Sequence, residues 1–81
     1  MVVAVHFMGP QRTLTRRDRI QIRLPKESRV ADLLACVKER YPALPFSEGV
    51  LVVTVNDRVS SLSKVLEPND NISFLPFLGG G

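Results

Sequence analysis

The chain has 81 residues, the length of one small domain, and 44% of them are hydrophobic, a proportion typical of globular proteins and not of disordered tails. A single cysteine excludes an intramolecular disulfide and favours a reducing setting, no apolar stretch reaches the roughly 20 residues of a membrane span, and the first residues lack the basic region of a signal peptide. We therefore expect a cytoplasmic protein that makes no membrane contact.

The net charge of +3 is distributed unevenly along the chain. Seven of the 11 basic residues lie between Arg12 and Arg29, where only Asp18 and Glu27 are acidic, so this basic segment carries +5 and the remainder −2. Such a segment binds nucleic acid in some domains, binds an acidic protein in others, and is simply solvated in many. It contains no Phe, Tyr or Trp, the rings on which single-stranded nucleic acid stacks, and this disfavours nucleic acid.

The N-terminal third predicts two strands. Residues 2–7, VVAVHF, are mostly β-branched and apolar, as in a largely buried strand, and Gly9-Pro10 ends it. The polar stretch 11–19 is compatible with either a loop or a short irregular helix. Residues 20–24, IQIRL, alternate apolar and polar side chains as a half-exposed strand does, and Pro25 stops it.

The hydrophobic period then changes to that of a helix. Ser28 is predicted as the N-cap, and Asp32 lies near the first turn, where the helix dipole favours an anion. Tyr41, which precedes Pro42, ends the helix after about four turns, because a residue before proline disfavours the helical conformation. The face expected to be buried comprises Val30, Leu33, Leu34, Val37 and Tyr41.

The C-terminal half predicts three further strands. Residues 50–55 form one strand, Asn56-Asp57 a tight turn, because both residues tolerate positive φ, and residues 58–60 the short return strand. After a second turn, the last strand runs over residues 72–76. The order β-β-α-β-β-β predicts an α+β domain of the β-grasp type, in which one main helix packs across one face of a mixed sheet of four to five strands.

Few side chains offer chemistry. His6 is the only histidine and has no acid or thiol beside it in the sequence, so we interpret it as a strand residue on one sheet face. Cys36 is interpreted as a small hydrophobe of the helix, and the sequence contains no cluster of metal ligands. The carboxylates of Asp57, Glu67 and Asp70 belong to turns, where we expect them to bond to the backbone.

The terminal glycines Gly79, Gly80 and Gly81 cannot serve stability, because glycine costs about 0.5–1 kcal/mol relative to alanine in a helix or strand. One interpretation is a frayed chain end. The other uses the properties of glycine. Three residues without Cβ atoms fit a channel as narrow as the backbone and adopt many conformations, and the last of them offers an α-carboxylate that can be activated.

Four stretches together resemble one known family. They are the helix SRVADLLACVKERYP, the hairpin VTVNDRVS, the turn LEPNDNISF and the end FLPFLGGG. In their order and spacing they are similar to the ubiquitin-like sulfur carriers, most of all to the small subunit of molybdopterin synthase and less to the thiamin sulfur carriers. The resemblance implies a ubiquitin-like β-grasp domain over residues 1–78 and a flexible tail over residues 79–81.

The resemblance also implies a mechanism in which catalysis resides in partner proteins. An E1-like adenylating enzyme would use ATP and Mg²⁺ to adenylate the carboxylate of Gly81, and a sulfur donor protein would convert the adenylate to a thiocarboxylate. A larger synthase subunit would receive the tail, in which Gly80 completes the diglycine and Gly79 lies in the linker. The chain itself would bind no cofactor or metal and would be a carrier protein, not an enzyme.

By the same analogy, part of the sheet is a docking patch for the partner. Phe7, Val59 and Leu75 lie where the family has such a patch, and Pro76 and Phe77 continue it toward the tail. Phe7 has a second interpretation as an ordinary core residue, because strand alternation does not say which face is covered.

The chain departs from the molybdopterin branch at three points. It has a third glycine, Phe77 stands in place of a second proline, and residues 9–21 lack the short apolar helix of many relatives. Pro76 and the chain length nevertheless favour this branch over the thiamin carriers. A carrier for another pathway, a modifier that conjugates to lysines, and a β-grasp module that binds an acidic partner stay open as alternatives. That module would use Arg16, Arg17, Arg19, Arg23 and Arg29.

Overall fold

Five strands and two helices form the fold in a computed structural model, which describes residues 1–44, 46 and 51–76. The elements are β1 (Val2–His6), α1 (Pro10–Thr15), β2 (Arg19–Arg23), α2 (Val30–Arg40), β3 (Leu51–Val55), β4 (Arg58–Ser60) and β5 (Asn71–Pro76). The predicted α+β architecture is confirmed. Among the described residues, neither helix has the length and apolarity needed to cross a membrane.

The strands form one sheet in the order β2-β1-β5-β3-β4. β1 runs parallel to β5, and the other neighbouring pairs are antiparallel. The last described strand along the chain is therefore the middle strand of the sheet and is bonded on both sides. As a result, the chain leaves the sheet from its centre and not from an edge.

One face of the sheet is covered by α2, because the apolar stripe of the helix meets the alternate apolar residues of the strands. Val30, Leu33 and Val37 of the helix are completely buried, and so are Ile72 and Phe74 of the middle strand. Each such side chain contributes about 1.5–3 kcal/mol relative to an exposed one. Alternate burial along β2 agrees with the two-residue period from which this strand was predicted.

The stretch between β1 and β2 contains a short helix, α1, which confirms the helical alternative of the two predicted for residues 11–19. Its buried side chains are polar, so it is not an apolar helix. Gln11 is buried, and its Nε2 donates to the carbonyl oxygen of Phe74 at 2.6 Å. Thr15 Oγ1 donates to the carbonyl oxygen of Gln11 at 2.8 Å, whereas Leu14 is exposed. One long-range bond, from Gln11 to Phe74, and one bond within the helix thus replace the apolar stripe of an ordinary amphipathic helix.

The start of α2 differs from the sequence prediction, because the N-cap is Arg29 and not Ser28. The Ser28 hydroxyl instead donates to the carbonyl oxygen three residues before it, at 2.7 Å. The Asp32 carboxylate accepts from the backbone N–H of Arg29 at 2.8 Å, and the N–H of Val30 donates to the carbonyl oxygen of Lys64 at 3.0 Å. A distant loop therefore satisfies helix donors that a capping side chain would otherwise bind.

The turn before β5 is fastened to the β3–β4 hairpin through Asp70. This residue is only 7% exposed, its Oδ1 accepts from Asn56 Nδ2 at 2.9 Å, and its Oδ2 accepts from the backbone N–H of Glu67 at 2.8 Å. Asn56 and Asp57 have φ angles of 51° and 68°, which confirms the predicted tight turn. The prediction that the turn carboxylates bond to the backbone is confirmed for Asp70.

Replacing Asp70 by alanine should lower the free energy of unfolding by about 1–3 kcal/mol, because it leaves the Asn56 amide and the Glu67 N–H without their acceptor. Glu67→Ala is the matched control, since it removes a carboxylate from the same turn and leaves the Glu67 N–H in place. It should change the free energy by less than about 0.5 kcal/mol. Urea unfolding followed by circular dichroism measures both values, and equal losses in the two variants would contradict the structural role of Asp70.

Candidate functional site

The sheet face opposite α2 is open, and the strand register gives the order of its side chains. His6 of β1 lies between Arg19 of β2 and Ser73 of β5, and Thr54 of β3 lies between Ser73 and Val59 of β4. Because paired residues share a face, these side chains form one row across all five strands. The row changes from cationic through polar to apolar, so the open face has two chemically different ends.

Three apolar side chains are neighbours at the β3–β4–β5 end of the open face. Leu75 pairs with Val52, and Val59 pairs with Thr54, two residues along β3 from Val52. Val59 is therefore a diagonal neighbour of Val52. Val59 is 78% exposed, whereas Val52 and Leu75 are half-buried. We call Val52, Val59 and Leu75 the apolar triplet.

The apolar triplet brings together two of the residues that the resemblance assigns to docking, Val59 and Leu75, and adds Val52. Sequence reasoning missed Val52 because residues 50–55, VLVVTV, are a nearly continuous apolar run without the alternation that distinguishes the two faces. The pairing of Val52 with Leu75 is the signal that places it on the open face, and this pairing becomes evident only in the folded sheet.

Phe7 does not belong to this face, contrary to its assignment to the docking patch. It is 3% exposed, and its ring packs edge-on against Tyr41 with the ring centroids 5.5 Å apart. Phe7 follows Val3 and Val5 at intervals of two residues, so it points to the covered face with them. Its second interpretation, as an ordinary core residue, is confirmed.

His6 lies on the open face, in agreement with its interpretation as a strand residue. Its Nε2 is 2.9 Å from Oδ1 of Asn71. This contact links the side chains of β1 and β5. In the part of the chain that the structure describes, no group of three or more His, Cys, Asp or Glu side chains is close enough to hold a metal ion.

β5 ends at Pro76. This residue pairs with Leu51 and follows Leu75 directly, so the chain leaves the sheet beside the apolar triplet. Phe77 and the glycines 79–81 lie outside the described residues, as does the side chain of Pro76, and their predicted roles stay predictions. The five residues 77–81 span at most about 17 Å when fully extended.

Solved structures from several organisms have the same fold. A putative molybdopterin converting factor, subunit 1, from Pyrococcus furiosus is 29% identical, with a TM-score of 0.82 over 93% of this chain and 95% of that one. A chain of the complex of subunits 1 and 2 of molybdopterin-converting factor from Helicobacter pylori is 28% identical, with a TM-score of 0.68 over 100% of both chains. SAMP1 from Haloferax volcanii reaches a TM-score of 0.85 over 100% of both chains, and at 16% identity it shows the shared fold alone. No curated protein matches the chain in sequence.

The comparison with family models covers nearly the whole chain. The model of the ThiS family matches residues 5–81, a range that includes both helices, the apolar triplet and the terminal glycines. This match agrees with the resemblance carried by the helix, hairpin, turn and tail of the sequence. The chain therefore belongs to the ThiS family of ubiquitin-like sulfur carriers.

Proposed function

We propose that this protein carries sulfur for the synthesis of molybdopterin and that its working atom is the carboxyl carbon of Gly81. The observation that carries the proposal is the ThiS family match, which extends through residue 81. The fold supports it, because the middle strand of the sheet leads directly into residues 77–81. The described core ends at Phe74, so a firmly held strand precedes the glycines.

The chemistry begins with activation of a poor electrophile. A carboxylate resists nucleophilic attack, and an E1-like adenylating enzyme overcomes this with ATP and Mg²⁺. The Gly81 carboxylate attacks the α-phosphate of ATP, pyrophosphate leaves, and an acyl adenylate forms. A sulfur donor protein then supplies sulfur at the oxidation level of sulfide, which attacks the acyl carbon; the bond from that carbon to the AMP oxygen breaks, AMP leaves, and a thiocarboxylate remains. The cofactors belong to the activating partner, and the chain acts as a substrate of its partners, not as an enzyme.

The terminal glycines suit this transfer because they have no side chains that a narrow channel in a partner would exclude. Gly79, Gly80 and Gly81 present only backbone to a partner's channel, and their conformational freedom allows the same tail to enter an adenylating enzyme and then an acceptor. A reach of at most about 17 Å beyond Pro76 requires each partner to dock against the body of the domain. Docking residues are therefore expected close to the end of β5.

Molybdopterin is favoured over other acceptors by the relatives with the higher sequence identity. The proteins from Pyrococcus furiosus and Helicobacter pylori, at 29% and 28% identity, both carry the name of a molybdopterin converting factor. The Helicobacter pylori structure is a complex of two subunits. By analogy, a larger synthase subunit is the partner that receives the tail and accepts the sulfur.

The apolar triplet is the docking surface that we assign to this larger subunit. Val59 is 78% exposed, and an apolar side chain buried at the centre of an interface is a typical source of binding energy. Leu75 directly precedes Pro76, so a subunit bound to the triplet lies next to the root of the tail. Pro76 and Phe77 would extend the same contact toward the glycines.

Activation can be tested by the mass of the intact protein. After incubation with the adenylating enzyme of the same organism, ATP, Mg²⁺ and a sulfur donor, mass spectrometry should show a gain equal to the mass of sulfur minus that of oxygen. One residue added after Gly81 should abolish this gain, because the terminal carboxylate then belongs to the added residue and not to Gly81. The addition should change the free energy of unfolding by less than about 0.5 kcal/mol, since the described core does not include the tail.

The control is the same reaction without ATP, which should leave the mass unchanged. An unchanged mass in the complete reaction, with an adenylating enzyme that is active on another carrier, would contradict the proposal. Accumulation of the chain on lysines of other proteins, without a free thiocarboxylate, would favour the alternative of a protein modifier.

Docking can be tested by placing a charge in the apolar triplet. Val59→Asp should weaken binding to the larger synthase subunit by at least about tenfold, or about 1.4 kcal/mol, because the interface would bury an unpaired carboxylate. Isothermal titration calorimetry measures the affinity. Val65→Asp is the matched control, since Val65 is also an exposed valine, 41% exposed, and lies in the loop that satisfies the first donors of α2. Equal effects of the two substitutions would contradict docking on the triplet.

A further inference from the structure

The outer edge of β2 carries no partner strand among the described residues, because β2 is the first strand in the sheet order. Two bonds show which of its backbone groups face β1. The N–H of Phe7 donates to the carbonyl oxygen of Asp18, and the N–H of Leu24 donates to the carbonyl oxygen of Met1, both at 2.8 Å. In an antiparallel pair such bonds recur every second residue, so the even-numbered residues of β2 bond inward.

The odd-numbered residues Arg19, Gln21 and Arg23 consequently direct their backbone N–H and C=O groups outward. Their side chains are exposed on the open face of the sheet. Three donors and three acceptors therefore alternate along an accessible edge, with two guanidinium groups beside them. This arrangement matches the backbone of another extended chain.

A groove between β2 and α2 continues this edge on the covered side. It consists of three adjoining depressions: the first contains Ile20 and Arg40, the second Ile22, Arg40 and Cys36, and the third Leu24 and Cys36. Each depression shares a lining residue of α2 with the next one. The apolar residues of β2 thus follow one another along the groove at intervals of two, which is the spacing of alternate side chains in an added strand.

The charges of the groove are strongest where β2 begins. There Arg17 and Arg40 line one depression together with Tyr41, and Arg19 and Gln21, whose side chains are on the open face, border it at the strand edge. Glu39 lies in the middle depression and is the acidic residue next to this end. At the other end, Lys26 lines the third depression together with two acidic residues, Glu27 and Asp32. The charges there are therefore mixed.

We propose that the edge of β2 binds an extended acidic peptide segment of another protein by adding it to the sheet as a sixth strand. Peptide residues opposite Arg19 and Arg23 share the open face with them and would be Asp or Glu, because opposite charges on paired strands attract. Peptide residues opposite Ile20 and Ile22 turn toward the groove and would be apolar. The segment that fits is therefore one in which acidic and apolar residues alternate.

Two other occupants fit this edge less well. In a second copy of the chain paired edge to edge, arginines of one β2 would oppose arginines of the other, and like charges on paired strands repel. Nucleic acid would find Arg17, Arg19 and Arg40, but the outward carbonyl groups of β2, unlike its N–H groups, repel phosphate. A peptide backbone satisfies both kinds of group.

This surface is independent of the proposed sulfur transfer. The apolar triplet lies on β3, β4 and β5, whereas the proposed peptide adds to the opposite edge of the sheet beyond β1. A protein bound at the β2 edge and a synthase subunit bound at the triplet therefore occupy different strands. Addition of a residue after Gly81 should leave peptide binding unchanged, so failure of one proposal is distinguishable from failure of the other.

The probe for the test is a fluorescein-labelled ten-residue peptide in which aspartate and valine alternate. Its binding to the full chain should raise the fluorescence anisotropy in a saturable way. In the complex, amide hydrogen exchange measured by NMR should slow by at least about tenfold at Arg19, Gln21 and Arg23, because these N–H groups gain acceptors. The amides of Ile20 and Ile22, which already bond to β1, should change much less.

Variants and control peptides separate strand addition from simple charge attraction. Arg19→Glu combined with Arg23→Glu should weaken binding by at least about tenfold, since it places like charges opposite the acidic residues of the peptide on the open face. Arg12→Glu combined with Arg58→Glu makes the same change in net charge away from the groove and should alter affinity by less than about twofold. The same peptide with every backbone amide N-methylated keeps its charge, loses its donors and should not bind measurably.

Several results would overturn the proposal. Equal losses in the two double variants, or equal binding of the N-methylated peptide, would mean that charge alone attracts the probe. Equal binding of a peptide with five aspartates followed by five valines would remove the requirement for alternation. Slow exchange at Arg19, Gln21 and Arg23 in the free protein, together with dimerisation in analytical ultracentrifugation, would assign the edge to a second copy. Tighter binding of a single-stranded oligonucleotide, weakened by the Arg19 and Arg23 substitutions, would assign it to nucleic acid.

Discussion

The insertion of β5 between β1 and β3 is the interaction on which the rest of the structure depends. It places Ile72 and Phe74, both completely buried, at the centre of the core. Without this strand, β1–β2 and β3–β4 would be two separate pairs, and an isolated pair of strands is at best marginally stable in water. With it, α2 packs on a continuous surface, Leu75 meets Val52, and the chain leaves the sheet beside them.

The sequence was a good guide wherever the signal is local. Alternation over residues 20–24 and the Asn56-Asp57 pair each specify a strand or turn from neighbouring residues alone. The face to which a strand residue points depends instead on where the helix packs, and β1 is apolar at nearly every position, so the side covered at Phe7 could not be deduced. α1 depends on a bond between Gln11 and Phe74, residues 63 positions apart, and no local pattern encodes that contact.

The structure also places the arginines of the basic segment, which are close together in the sequence, on different surfaces. The basic segment looks like one cationic surface, but Arg29 stands at the start of α2, where its Nη1 donates to the carbonyl oxygen of Ser63 at 2.6 Å. Arg19 and Arg23 lie instead on the outer strand of the sheet. The candidate site could be predicted where it depends on a local signal, and the surface formed by the basic segment could not, because it depends on tertiary packing. Val59 follows a recognisable hairpin turn, whereas the groove beside Arg40 exists only after α2 and β2 have packed together.

The position of β5 has a consequence for the order in which the protein is made. β1 is synthesised before the other described strands, yet one of its two neighbours in the sheet is supplied by residues 71–76, the last of these strands to be made. Contacts so distant in sequence form late, because the intervening chain must lose conformational freedom before they are made. Until the ribosome has released Pro76, β1 has an unpaired side and the helix lacks part of its apolar contact. The five-stranded sheet is therefore completed only after its middle strand, β5, has left the ribosome.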